Sequence, residues 1–383
     1  VRGFDSQEEK VFELATGIQK KSSIRKGKLV HLGIFRADEG DHLLIAIHHL
    51  VVDGVSWRIL FEDFETLYLQ ALKGEPLDIG YKTDSYQEFA RQLKKYAQSR
   101  RLLKEREYWQ KALEADVPFI PAEKLERDTF EHSATLSIRI GPDVTAKLLR
   151  NANKAYNTEI NDILLTALIA AVRDITGENK LKVMMEGHGR EEIIPGMNIS
   201  RTAGWFTAQY PVILKSEAAA GLPETIKNVK ETLRRIPDKG IGYGILRYLT
   251  DRKKAGADFS IKPDISFNYL GQIDREVQTD FFGPSSYDMG RQVSERSEAL
   301  YALSFSGIIS KEKFILSCSF NTEEYDRQTV QGLMDRFKAS LTALIDHCTA
   351  KEEREFTPSD FSAGDLEMEE MGDLFDVLEE NLK

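Results

Sequence analysis

The chain has very little cysteine. Only Cys318 and Cys348 occur in 383 residues. They show no paired spacing, which argues against a disulfide scaffold or a structural zinc site. A basic surplus is also lacking: 52 Lys and Arg stand against 62 Asp and Glu, a net charge of −10. A nucleic-acid partner is therefore not expected. No apolar run approaches the ~18 residues needed to span a bilayer, so no membrane partner is expected either. Two unpaired cysteines, one in a strand pattern and one at the end of a helix pattern, suit a reducing cytoplasmic setting. There is no internal repeat. What is present is ample apolar material, 41% of residues, enough for the core of one large two-lobed domain or of two smaller ones.

Helical and strand patterns alternate, which points to a mixed α/β (α+β) fold. Leu43 to Ile47 is an apolar run and is expected to be a buried strand. Ser56 to Leu72 carries apolar residues on one face and is expected to be a helix, with Ser56 as its N-cap. Tyr86 to Glu114 is charged and is expected to form one long, half-exposed helix. Pro118 to Glu131 reads as a loop. Ser133 to Ile140 alternates as a strand, and Pro142 opens a helix over Asp143 to Ala155. Asn161 to Ile175 is apolar on most faces and should be a central helix. Lys180 to Met185 is a strand ending at Glu186. Phe206 to Leu214, Asp264 to Tyr269, Leu300 to Ile309 and Phe314 to Phe320 also read as strands, the last two joined in a hairpin. Glu224 to Arg235 and Asp326 to Cys348 read as helices. From Glu352 the chain is acidic, and Leu366 to Leu382 could form an amphipathic helix. This suggests three parts: 1–130, 131–350, and an acidic linker or docking tail over 351–383.

The most informative segment is His48-His49-Leu50-Val51-Val52-Asp53-Gly54. It delivers two histidines, the side chain best suited to moving protons near neutral pH, into a loop with a fixed acid and a glycine. Alternation along an extended chain is expected to turn His48 and His49 to opposite sides. Four further segments stand out: Glu186-Gly187-His188-Gly189-Arg190-Glu191, Arg201 to Thr207, Pro237 to Gly244, and Phe267-Asn268-Tyr269-Leu270-Gly271-Gln272. Gly240 to Gly244 is glycine-rich but has no lysine to complete a phosphate loop; a tight loop between lobes is expected. No metal site is expected, because His48 and His49 have no carboxylate or thiol at ligand spacing.

Together these motifs closely resemble the epimerization domain of nonribosomal peptide synthetases, a member of the condensation-domain superfamily with a two-lobed chloramphenicol acetyltransferase-like fold. The histidine loop is common to the superfamily. The segments around Glu186 and Asn268-Tyr269 are more specific to epimerization. In the family the histidine loop lies much further into the domain, so the first lobe is expected to be incomplete here.

The resemblance implies L-to-D inversion at the alpha carbon of an aminoacyl or peptidyl thioester. That thioester would be held on the phosphopantetheine arm of an upstream peptidyl carrier domain, which is served in turn by an adenylation domain. No cofactor would be bound directly, and a downstream condensation domain or synthetase would meet the C-terminal tail. Such chemistry needs a base, a stabiliser for the enolate oxygen and a proton source. Glu186, at a strand end among glycines, is expected to act as base or acid, and His49, the channel-facing histidine, to stabilise the enolate or to exchange a proton with Glu186. Tyr269 is the expected phenol donor. His48, Asp53, Gly54, Arg190 and Asn268 are expected to support the site, Asp53 by pairing with Arg190. Trp57, Gly204 and Trp205 are expected to line the channel or position substrate. His188 is expected to be structural. Two other readings share the fold: a condensation domain that forms peptide bonds, and a non-catalytic carrier-docking remnant.

Overall fold

The computed structural model describes residues 1–4, 6–114, 129–216, 221–261, 263–272 and 281–361. Among them the chain builds two sheets of very different character. The first region comprises α1 (Gln7–Gln19), β1 (Val30–Arg36), β2 (Asp41–Ile47) and α2 (Gly54–Lys73). β1 and β2 form an antiparallel two-stranded sheet. Register pairs Val30 with Ile47, Leu32 with Ile45 and Ile34 with Leu43. Side chains paired across a ladder share a face, so these six make one apolar surface, and it points outward: Leu32 is 65% exposed and Ile34 69%. The inner face carries His31, Gly33 and Phe35 against α1. Gly33 is required there, because a Cβ would lie 2.6 Å from Ile18 Cδ1. Among the described residues, the buried cluster between this sheet and α1 is Val11, Ala15 and Phe35. The expectation that Leu43 to Ile47 is buried is thus corrected: Leu43 is exposed and the rest of the run is half-buried.

The stretch expected as one helix is three: α3 (Tyr86–Tyr96), α4 (Arg100–Leu103) and α5 (Arg106–Glu114). Ser99 breaks it by capping α4, its hydroxyl accepting from Leu102 N at 3.2 Å. Ala97, Leu102 and Trp109 are fully buried in the main core. These helices therefore pack with the second region, and a boundary near 130 divides the sequence but not the packing.

The second region holds β3 (Ser133–Ile140), α6 (Pro142–Arg150), α7 (Ile160–Thr176), β4 (Lys180–Gly187), β5 (Ala208–Lys215), α8 (Leu222–Arg234), α9 (Ile241–Tyr248) and α10 (Arg252–Ala255). β6 (Ile265–Gln272), β7 (Leu303–Ser310), β8 (Lys313–Asn321) and α11 (Arg327–Ala350) follow. The strands form a six-stranded mixed sheet in the order β3-β8-β7-β6-β4-β5. One face is apolar: Val183, Phe267, Phe305, Phe314 and Leu316 join the core with α7 and α11. The other face is polar. Thr135 meets Ser319 at 2.9 Å and Ser137 meets Ser317 at 2.8 Å across its strands, and Ser266 and Ser304 are register partners. Glu186 lies on this face. Both cysteines are buried, Cys318 on β8 and Cys348 in the last turns of α11. Burial raises their thiol pKa values to about 12 and about 11.

Two further expectations change. Gly240 to Gly244 is not a tight loop. Asp238, Lys239 and Gly240 take left-handed backbone angles, with φ of 39°, 51° and 87°, and α9 starts at Ile241. Residues 351–361 are not a free tail. Glu355 N donates to Ala155 O at 2.8 Å, and the fully buried Lys230 reaches Asp360 Oδ2 at 2.6 Å and Tyr156 O at 2.8 Å. The amphipathic helix expected over 366–382, and residues 118–128 of the loop expected over Pro118 to Glu131, lie outside the described residues; that loop ends in a 3₁₀ turn over Phe130–His132. Finally, residues 281–291 cross from the second region to the first. His42 bonds Ser285 at 2.8 Å and Arg291 N donates to Thr16 Oγ1 at 3.0 Å. No helix among the described residues is long and apolar enough to cross a membrane.

Candidate active site

β2 ends at Ile47, and His49 opens a single 3₁₀ turn over His49–Val51. Strand alternation therefore stops short of the histidine pair; the turn itself separates the two rings. His48 is half-buried and its Nδ1 accepts from Leu50 N at 3.2 Å, closing the loop. His49 is exposed and meets the Trp205 ring edge-on at 5.6 Å.

Asp53, not Ser56, is the N-cap of α2, its Oδ1 accepting from Ser56 N at 2.7 Å. The same carboxylate does more than cap. Its Oδ2 accepts from Phe206 N at 3.0 Å. Arg190 Nη2 lies 3.2 Å from Oδ1 and 3.4 Å from Oδ2. Arg190 Nη1 donates to Ile199 O and Thr202 O at 2.8 and 2.9 Å, and its guanidinium lies 3.9 Å above the Phe206 ring. Ser56 Oγ accepts from Gly204 N at 3.0 Å. Asp53 and the Arg190 side chain are 3% and 8% exposed. The expected pair therefore forms, in a buried knot that ties the histidine loop of the first region to the 190–206 loop of the second. Ser56 is a member that its sequence context did not announce. Gly189 makes room for the knot: at φ +66° a Cβ there would sit 1.6 Å from Phe206 O. Gly54 is the first residue of α2, and a Cβ on it would meet nothing within 4 Å. Trp57 stacks on Phe61 at 5.6 Å. His188 Nδ1 accepts from Arg190 N at 3.0 Å, a local structural contact.

Glu186 is half-buried near the end of β4. Gln209, its register partner on β5, donates to Oε1 at 2.9 Å, and Asn268 Nδ2 donates to Oε2 at 2.5 Å. Two amides thus hold the carboxylate from the strands on either side. Gln209 was not singled out in the sequence; only the β4–β5 register identifies it. Glu186 and Gln209 line an open cavity of about 330 Å³ over the polar sheet face, with Ser266, Ser304, Ser319 and Tyr301 among its other walls. Tyr269 is not part of this group. Neighbours on a strand point to opposite sides. With Asn268 turned to Glu186, Tyr269 turns to the helix-covered side, over Gly307 and toward the Phe314 ring at 6.4 Å. Burial raises its phenol pKa to about 12. Tyr269, expected to donate to the enolate or to position substrate, therefore does not share the Glu186 side of β6.

Two elements thus define the candidate site: a histidine loop clasped across two regions, and an amide-held carboxylate over a hydroxyl-lined cavity. They belong to an α/β protein with its polar groups gathered on one open sheet face. The chain is a member of the condensation domain family, whose description "Condensation domain" matches residues 3–367. It has the chloramphenicol acetyltransferase-like fold of that family. It is 67% identical over 371 residues to bacitracin synthase 1 of Bacillus licheniformis, covering 97% of this chain and 7% of that protein. It is 54% identical to surfactin synthase subunit 2 of Bacillus subtilis strain 168, covering 97% of this chain and 10% of the relative. The chain thus spans a tenth or less of these relatives. Among solved structures it matches the epimerization domain from the third module of tyrocidine synthetase B. The TM-score is 0.86 at 43% identity, over 92% of this chain and 80% of that one.

Proposed function

We propose that this chain inverts the alpha carbon of an aminoacyl or peptidyl thioester presented on the phosphopantetheine arm of a carrier domain. The observation that carries this reading is Glu186: a half-buried carboxylate, fixed by Gln209 and Asn268, at the wall of a cavity. Peptide-bond formation has no need of a carboxylate at that place, whereas removal of an alpha proton does. The likeness to an epimerization domain supports the same choice. In this reading Glu186 takes the alpha proton, a step that a thioester carbonyl eases by accepting the charge as an enolate. His49, exposed at the loop that the Asp53–Arg190 knot anchors, stabilises the enolate oxygen. The carrier domain, an upstream adenylation domain and a downstream condensation domain are the partners this reaction requires.

The test is exchange of the alpha proton in heavy water, with aminoacyl pantetheine thioesters as substrates. Glu186→Gln is expected to slow exchange at least about 100-fold, the usual scale for losing a general base. Exchange at the wild-type rate in this variant would remove Glu186 from the mechanism. Peptide-bond formation without any exchange would move the chain to the condensation reading.

A further inference from the structure

Inversion requires a proton to leave one face of the alpha carbon and another to arrive on the opposite face. Glu186 alone can only return a proton to the side from which it took it. We propose that Tyr301 is the second proton carrier, delivering to the face opposite Glu186; the proposal rests on the epimerase reading above.

The sheet order sets the two groups apart. Glu186 stands on β4, and Tyr301 lies two residues ahead of β7, with β6 between those strands. The register pair Ser266 and Ser304 lies between them on the same cavity wall. A thioester lying over those hydroxyls has the carboxylate on one side and the phenol on the other. Three titratable side chains line the cavity: Glu186, Glu298 and Tyr301. Glu298 is exposed, whereas Tyr301 is half-buried. Burial first, and the charge of Glu186 second, raise the Tyr301 phenol pKa to about 12. It therefore holds its proton through the neutral range while remaining far more acidic than the alpha carbon of a thioester. Tyr269, on the opposite side of β6, cannot serve.

The step balances. Glu186 takes the alpha proton, and the C–H electron pair moves into the thioester carbonyl as an enolate. The alpha carbon then takes the phenolic proton from the other face, leaving Tyr301 as phenolate. The proton on Glu186 returns to that oxygen through water in the open cavity, restoring both groups.

Exchange and inversion can be read separately. L-aminoacyl pantetheine thioesters in heavy water report alpha-deuterium by mass and the D fraction by chiral separation. Tyr301→Phe is expected to keep deuterium entry into the L form through Glu186 while losing at least tenfold in inversions per exchange event. Inversion per exchange equal to wild type overturns the proposal. So does parallel loss of exchange and inversion with an unchanged melting temperature, since that marks a positioning role. If the wild-type chain neither exchanges nor inverts, the epimerase reading itself fails, and this is visible before any variant is made. Should Tyr301→Phe not fold, a trifluorotyrosine at 301 retains the shape with a more acidic phenol. The alkaline limit of inversion is then expected to move to lower pH, and an unmoved limit overturns the proposal. The charged and titratable groups around this phenol are Glu186 on β4, Arg247 and Tyr248 on α9, and Glu298 at the cavity rim.

Discussion

The two sheets of this protein follow the same pairing rules and end in opposite surfaces. The six-stranded sheet turns its apolar face to α7 and α11 and its hydroxyl face to the cavity. The two-stranded sheet turns Val30, Leu32, Ile34 and Leu43 to the outside and keeps a core of three buried residues. The larger region can therefore hold Glu186 to within hydrogen-bond tolerance by its own packing. The smaller one is tied to the larger by the Asp53–Arg190 knot, which anchors the His49 loop, and by the crossing segment at 281–291, which bonds His42 and Thr16.

That asymmetry can be broken from either side. Phe337→Ala empties a fully buried site in α11 and is expected to cost about 3–5 kcal/mol in urea unfolding. A cost under about 1 kcal/mol would mean that the large core is not what stabilises the chain. Arg190→Ala leaves Asp53 buried without its partner and is expected to cost about 3 kcal/mol. Hydrogen exchange should then accelerate in 30–73 before it does in 160–176. The double variant with Asp53→Ala should lose less than the sum of the singles; strict additivity would show that the two do not act as a pair.

A smaller effect comes from Glu105, packed between α4 and α5 against Gly242 of α9, where its Oε2 accepts from Trp109 Nε1 at 3.0 Å. Burial raises its pKa from 4.5 to about 6. The folded state therefore binds this proton more tightly than the unfolded chain. Its contribution is fully present below pH 4.5 and is lost as the pH rises through 6. Glu105→Gln should flatten that window and be more stable than wild type above it, by up to about 2 kcal/mol. Equal slopes for the two proteins between pH 4.5 and 6 would contradict the burial argument. The smallest effect is expected from Leu32→Ser on the outward face: within about 0.5 kcal/mol of wild type. A loss approaching that of Phe337→Ala would show that something in solution covers this face.

Much of the larger region was legible in the sequence because its apolar periodicity and its buried faces coincide. Ser133–Ile140 and the helices around α7 and α11 fall where the pattern puts them. β1 was not legible for the converse reason. Its regular alternation of Val30, Leu32 and Ile34 is real, but it marks the exposed face, with His31 and Gly33 turned inward, so it does not read as a core strand. The Asp53–Arg190 pair was expected only through the resemblance, in which the matching aspartate holds the loop through an arginine. Tyr269 and Asn268 show the limit. Being adjacent on a strand, only one of them could face Glu186, and periodicity cannot say which. Gln209 was hidden because its importance lies in its register with Glu186, a relation between strands more than twenty residues apart in the chain.

The crossing segment at 281–291 also bears on how the chain comes off the ribosome. Thr16 and His42 are made before the groups that bond them, Arg291 N and Ser285 Oγ, which follow roughly 250 residues later, a delay on the order of ten to fifty seconds at about 5–20 residues per second. During that interval the α1 side of the two-stranded sheet, where Thr16 and His42 meet the segment, must exist without its strap, and its closure waits on a long loop whose ends meet only late. Translation speed, or a chaperone that occupies the α1 side of the sheet meanwhile, thus becomes a variable in the yield of folded protein, although neither touches the cavity where the chemistry would occur.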